Sequence, residues 1–169
     1  MIPAETAGMG NPTTETGEKA VENSLLIPLN DSEASRAVVD FLVKMPFGTE
    51  GSRVTFIHVF RRPTSGEELM GKKYMDEQPA KCRALLENAK QRLIREKGFK
   101  AEQIDIQLVT DPFPSVTEGI IDFFNKGRYD MVVIGRKKMS KSEEFILGDI
   151  SVKLVRSLNK TAILVIKSG

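Results

Sequence analysis

The chain has 169 residues, 40% of them hydrophobic, and its 25 lysines and arginines against 23 aspartates and glutamates give a formal net charge of +2. That is enough for one domain with its own core; no apolar run is long enough for a membrane-spanning helix and no basic-then-apolar leader opens the chain, so the expectation is a cytoplasmic protein without a membrane partner. The single cysteine, Cys82, excludes an internal disulfide, and the mildly basic balance suits a small anionic ligand but lacks the dense basic face that nucleic acid requires.

Residues 1–23 hold four acids, one base, three glycines and almost no large apolar residue. They show no helical or strand period and read as a disordered tail ahead of a domain at 24–169. Ser24 to Leu29 is a continuous apolar run of strand length, with Pro28 near its end. Asn30, Asp31 and Ser32 follow as helix caps, and Ala34, Val38, Phe41, Leu42 and Met45 recur at helical spacing. Arg53 to Phe60 is a second strand, rich in β-branched and aromatic residues. The stretch from Arg61 to Met75 reads as a long connection of the kind that forms lids or binding loops.

Asp76 to Lys97 is predicted as a long helix with Cys82, Leu86, Ala89 and Leu93 on one stripe, stopped by Gly98. Glu102 to Val109 alternates as a half-buried strand, and Asp111-Pro112-Phe113-Pro114 is expected to break it. Ser115 and Glu118 form a capping-box pattern before a helix with Val116, Ile120, Ile121, Phe123 and Phe124 on its core face. Met131 to Ile134 is a fourth strand ending at Gly135. A charged loop from Arg136 to Glu144 leads to Gly148 and Asp149, which open a helix carrying Ile150, Leu154, Val155 and Leu158. Thr161 to Ile166 closes the chain as a fifth strand.

Alternating β and α units, three of the strands reading as fully buried, predict an α/β fold: a five-stranded parallel, doubly wound, Rossmann-like sheet with helices on both faces. Ligands of such sheets bind beyond the carboxyl ends of the strands. That rule gathers Asn30–Ser32, His58–Phe60, Thr110–Asp111 and Gly135–Lys138 along one edge.

With these residues in place, the chain resembles the universal stress protein family over Ser24 to Lys167. The likeness rests on the first strand running into Ser32 and Ser35, on His58-Val59, on Val133-Ile134-Gly135, and on the Gly135 loop leading to Gly148. Nucleotide-binding members carry Gly-x2-Gly-x9-Gly-Ser/Thr after the fourth strand. Here Gly135 and Gly148 match the first and third glycines, Lys138 stands at the second, and Asp149 stands at the Ser/Thr position. Asn30 stands where those members have an aspartate.

The resemblance implies a nucleotide site made of Pro28, Leu29, Asn30, Val59, Gly135, Arg136, Lys138, Gly148, Asp149, Ile150 and Ser151, with the Val59 backbone reading the adenine edge. It leaves ATP or AMP with Mg²⁺ as candidate cofactors and establishes neither. Asp149 would set its carboxylate against phosphate at a helix N-terminus, and Lys138 would strain a backbone with positive φ. Arg136, Lys137, Lys138 and Lys141 offer side-chain charge in place of backbone amides. The resemblance also implies a homodimer through Thr161–Ile166.

Two functional readings stay open, beside a weaker third, a catalyst on a small phosphorylated substrate. One is a stress-response module whose ATP binding is weakened or lost. The other is an adenine-nucleotide-binding regulatory protein that uses the basic loop. His58 reads as structural rather than catalytic, Asp149 as a helix cap, and Glu143-Glu144 as a solvated loop. No nucleophile–base pair and no metal-ligand spacing is present, so catalysis extends at most to slow nucleotide hydrolysis.

Overall fold

The computed structural model describes residues 23–61, 63, 65–138, 140 and 150–169, with nothing to be said of the Lys73 and Tyr74 side chains. The expected tail, apart from Asn23, lies outside the described residues, as do Gly148 and Asp149. Asn23 itself opens the first strand. The strands are β1 (Asn23–Pro28), β2 (Ser52–Arg61), β3 (Ile104–Phe113), β4 (Met131–Lys137) and β5 (Ala162–Ser168). The helices are α1 (Glu33–Lys44), α2 (Ser65–Leu69), α3 (Lys72–Arg92), α4 (Val116–Lys126) and α5 (Ile150–Ser157).

All strand pairs are parallel, in the order β3-β2-β1-β4-β5. This is the five-stranded parallel α/β sheet that the alternation predicted. Side chains alternate between its two faces. Leu25, Ile27, Val54, Phe56, Ile104 and Val133 pack with Val38, Leu42, Leu86 and Leu93 of α1 and α3 and the turn that follows α3. Leu26, Ile57, Val59, Val109, Val132 and Ile134 pack with Ile120, Phe124, Leu154 and Leu158 of α4, α5 and its end. A sheet buried on both faces explains why the β1 and β4 segments read as unbroken apolar runs.

Three local expectations need correction. The connection after β2 is not a plain loop: it contains α2, and α3 starts at Lys72 rather than Asp76. The residues of α2 and of the first α3 turns are mostly exposed, so no apolar period marked them. Asp111-Pro112 does not end β3. The β2–β3 register passes from Val59↔Val109 to Arg61↔Phe113, so a bulge absorbs the extra residues on an edge strand, where proline costs no ladder bond. Finally, β4 does not stop at Gly135 but pairs with β5 through Lys137.

The chain winds outward from β1 through β2 to β3, then crosses to the other side of β1 for β4 and β5. The direction therefore reverses between β1 and β4, and their pairing is short: Leu25↔Met131 and Leu26↔Val132. Leu29 donates its N–H to the Ile57 carbonyl at 2.8 Å, so Leu29 and Ile27 direct their backbone groups at β2. Pro28, between them, faces the β4 side, where the ladder has already ended. A proline in a central strand thus costs nothing here.

The candidate ligand cleft at the ends of β1, β2 and β4

Where β1 and β4 separate, a cleft of about 610 Å³ opens. That lies within the range of small-ligand sites, about 300–1,000 Å³. Its floor comes from the strand ends: Pro28, Leu29, Asn30, His58, Val59, Phe60, Ile134 and Gly135. Asp31, Ser32 and Ser35 at the head of α1 form one wall; Arg61, Glu67, Met75, Gln78, Pro79 and Cys82 form another, and Thr110, Pro112 and Val116 a third.

Gly135 keeps the floor closed for a steric reason. A Cβ there would sit 2.4 Å from the Ala34 carbonyl oxygen and 2.6 Å from its carbon. Without that carbon, β4 lies directly against the start of α1. Gly135 is not among the glycines with positive φ, and Lys160 is the one non-glycine residue with positive φ among the described residues. Lys138 therefore carries none of the left-handed strain expected for a lysine at the second glycine position.

The α1 wall is a hydrogen-bond cage. Ser32 is the N-cap, its Oγ accepting from Ser35 N–H at 3.2 Å. Ser32 Oγ donates to Asn30 Oδ1 at 2.5 Å, and Ser35 Oγ donates to the same oxygen at 2.8 Å. Ser35 Oγ in turn accepts the Asn30 backbone N–H at 2.9 Å. Ser35 is buried while Asn30 is exposed to the cleft.

At the end of β2, the Leu29 carbonyl is met at 2.8 Å by His58 Nδ1. A carbonyl only accepts, so Nδ1 carries the proton and donates it. A further parallel rung would have Val59 N–H donate to that same carbonyl, and that rung is not made. Backbone groups alternate along a strand, so Ile57 and Val59 both face the β1 side. β1 ends at Pro28, so the Val59 N–H and C=O point past it. The result is one donor and one acceptor side by side at the floor of the cleft. His58 also lies edge-on to Phe60, with ring centroids 4.8 Å apart.

Among the described residues, the charges lining the cleft have ion-pair partners. Arg61 grips Glu67 through two bonds, of 2.9 and 3.0 Å, and Asp31 pairs with Arg36 at 3.2 Å. Burial, and secondarily the Asp31 carboxylate, push the Cys82 thiol above its ordinary value, so it is a neutral, weakly reactive group. No cluster of His, Cys, Asp and Glu that could hold a metal occurs among the described residues.

Of the residues singled out from sequence, Pro28, Leu29, Asn30, Val59 and Gly135 come together on the floor. Arg136 is half-buried and Lys138 exposed on the far side of Gly135, and neither lines the cleft. Ile150 is half-buried at the start of α5, and Ser151 is buried. Sequence reasoning missed the wall from Arg61 to Cys82. The proline and glycines of that stretch hinted at a binding loop, but nothing in it said which side chains turn inward.

The sequence pattern of the Universal stress protein family matches residues 23–167. Among solved structures, the chain is similar to the hypothetical protein MJ0577 at 19% identity, with a TM-score of 0.64 over 88% of this chain and 98% of that one. It is similar at 17% identity to a universal stress protein family member from Burkholderia pseudomallei, with a TM-score of 0.58 over 88% of this chain and 98% of that one. A universal stress protein solved in complex with cAMP is 14% identical, with a TM-score of 0.59 over 88% of this chain and 99% of that one. At these identities the likeness establishes the shared fold. Comparison with curated proteins finds no match.

Proposed function

Because the chain belongs to the universal stress protein family, we propose that it is a stress-response module that holds the adenosine part of a nucleotide in the β1–β2 cleft and grips a triphosphate only weakly. The observation that carries this reading is the Val59 backbone edge, directed past the end of β1 into a cleft of about 610 Å³. An adenine ring offers the complementary pair, an exocyclic amine for the carbonyl and a ring nitrogen for the N–H. Apolar surfaces of Pro28, Val116 and Ile134 would flank the ring. A structural neighbour solved with cAMP is a chain of the same fold with an adenine nucleotide bound.

Two features support weak binding of the phosphates. Among the described residues, the cation lining the cleft, Arg61, is paired with Glu67. Asp149 stands where the resemblance calls for a Ser/Thr hydroxyl. A carboxylate near phosphate repels it by a few kcal/mol at a surface-like dielectric of about 20. Arg136, Lys137 and Lys138 partly offset this from outside the cleft.

Denaturing freshly purified protein and separating the released small molecules tests the reading. AMP or adenosine in the supernatant is the expected result. Release of a different class of compound would replace the adenosine assignment.

A second element of the proposal is a homodimer through β5. The support is its position as an edge strand with half-buried Ile163, Leu164, Val165 and Ile166, beside exposed Val152 and Val155 on α5. An apolar edge of this kind is ordinarily covered.

A further inference from the structure

The guanidinium of Arg61, in the wall of the cleft, already holds an anion. Arg61 is the last residue of β2, two positions past Val59, so it lies about 7 Å farther along the same strand. Its Nη1 and Nη2 donate to the two carboxylate oxygens of Glu67 at 3.0 and 2.9 Å. Arginine recognises a carboxylate or a phosphate through this side-by-side pair of bonds. The Glu67 carboxylate is thus a chemical stand-in for the anionic group of a ligand.

The two members of the pair are anchored differently. Arg61 belongs to the sheet, where it pairs with Phe113 of β3. Glu67 belongs to α2, which has five residues and buries none of them, and a helix so short is not stable by itself. Leu69 and Met70 at its end are 88% and 60% exposed. Gly71 joins it to α3 with φ +87° and nothing within 4 Å of where a Cβ would stand, which leaves that joint room to turn. The ion pair is itself open to water, with Arg61 44% and Glu67 34% exposed, so it is screened and readily exchanged. The cation is the fixed member and the carboxylate the replaceable one.

Resting on the adenosine reading, we propose that Glu67 is an internal competitor for an anion seat at Arg61, and that a phosphate monoester or carboxylate carried by the cleft's ligand displaces it and releases α2 from the cleft wall. An incoming anion replaces one already seated, so it adds little net affinity while it changes the position of α2. The charge of the ligand is thereby reported at the surface, by a segment that carries two exposed apolar side chains.

The test titrates nucleotide-free protein calorimetrically with adenosine and with AMP, as wild type, Glu67→Gln and the Arg61→Gln/Glu67→Gln double variant. Amide exchange over residues 65–71 is followed by mass spectrometry alongside. The preference for AMP over adenosine is expected to rise about tenfold in Glu67→Gln and to return to near the wild-type ratio in the double variant. In the wild type, AMP and not adenosine should accelerate exchange in α2, and Glu67→Gln should exchange fast without ligand. An unchanged AMP preference in Glu67→Gln, the same rise in the double variant, or α2 exchange indifferent to AMP would overturn the proposal. If adenosine itself fails to bind, the adenosine reading falls and inorganic phosphate decides the seat alone. Faster α2 exchange in phosphate than in chloride of equal ionic strength, absent in Arg61→Gln, would uphold it; no difference between the two salts would overturn it.

Discussion

His58 illustrates how much one side chain can decide at the end of a strand. Its Nδ1–H holds the Leu29 carbonyl at 2.8 Å, the acceptor that the next parallel rung would use. The imidazole therefore keeps Val59 N–H available to a ligand instead of letting β2 and β1 pair one step further. We expect His58→Ala to fold normally and to weaken adenosine binding about tenfold, the value of roughly one well-placed hydrogen bond; calorimetry on the variant checks it, and unchanged affinity would make the histidine merely structural. Gly135 acts through what it lacks. Gly135→Ala puts a carbon 2.4 Å from the Ala34 carbonyl, which must move with the head of α1. The expected cost is ~1–3 kcal/mol of stability in denaturant titration, as for overpacking elsewhere, and the neutral outcome would mean that α1 can slide. A glycine in this place was legible from sequence, but its contact with Ala34, a hundred positions away, was not. Asn30 was equally visible as a candidate, yet the bonds its Oδ1 accepts depend on where two serine hydroxyls point, which no spacing records.

At the scale of elements, the order of strands and helices was readable because the sheet is covered on both faces. Its strands are apolar runs or clean alternations, and α1 and α4 carry strong stripes with N-caps at Ser32 and Ser115. Gly98, with φ +84°, ends the π-helical turn Leu93–Lys97 that follows α3. What escaped was set by partners distant in sequence. The β3 bulge at Thr110–Pro112 is defined by the register of β2, and α2 buries none of its residues. α3 is tied to α1 by Arg92, which reaches Asp40 at 2.7 Å and Glu96 at 3.1 Å. Arg92, with Arg95 second, holds the Glu96 carboxyl below its ordinary value. A carboxyl lowered in the folded state adds stability that is fully present above its ordinary value and is lost as pH falls through the folded-state value. Arg92→Ala should therefore lower Tm on the order of a few degrees near neutral pH and flatten the acid side of the stability curve. A wild-type acid limb that is unchanged in the variant would remove this pair from the account.

For the whole molecule, the sheet order puts β5 at one edge and β3 at the other. The two edges differ in character: β3 ends in a bulge with a proline, which discourages pairing, while β5 is apolar over most of its length. Sedimentation velocity at micromolar concentration is expected to give a dimer, and Val165→Lys is expected to shift it toward monomer. A monomeric wild type would end the β5 proposal without touching the cleft. Reversal of the winding between β1 and β4 is what makes the cleft, because it ends the β1–β4 ladder early, tolerates Pro28 and leaves the Val59 edge without a strand beside it. The central claim is that this edge reads an adenosine-type ligand while the phosphates add little. The most direct measurement is calorimetric titration of nucleotide-free protein with adenosine and with ATP and Mg²⁺ in the same buffer. Adenosine binding in the micromolar range, with ATP no more than about tenfold tighter, a gain of at most ~1.4 kcal/mol from three phosphates, is the predicted result. ATP binding a thousandfold tighter than adenosine, or no heat from either ligand, would contradict it.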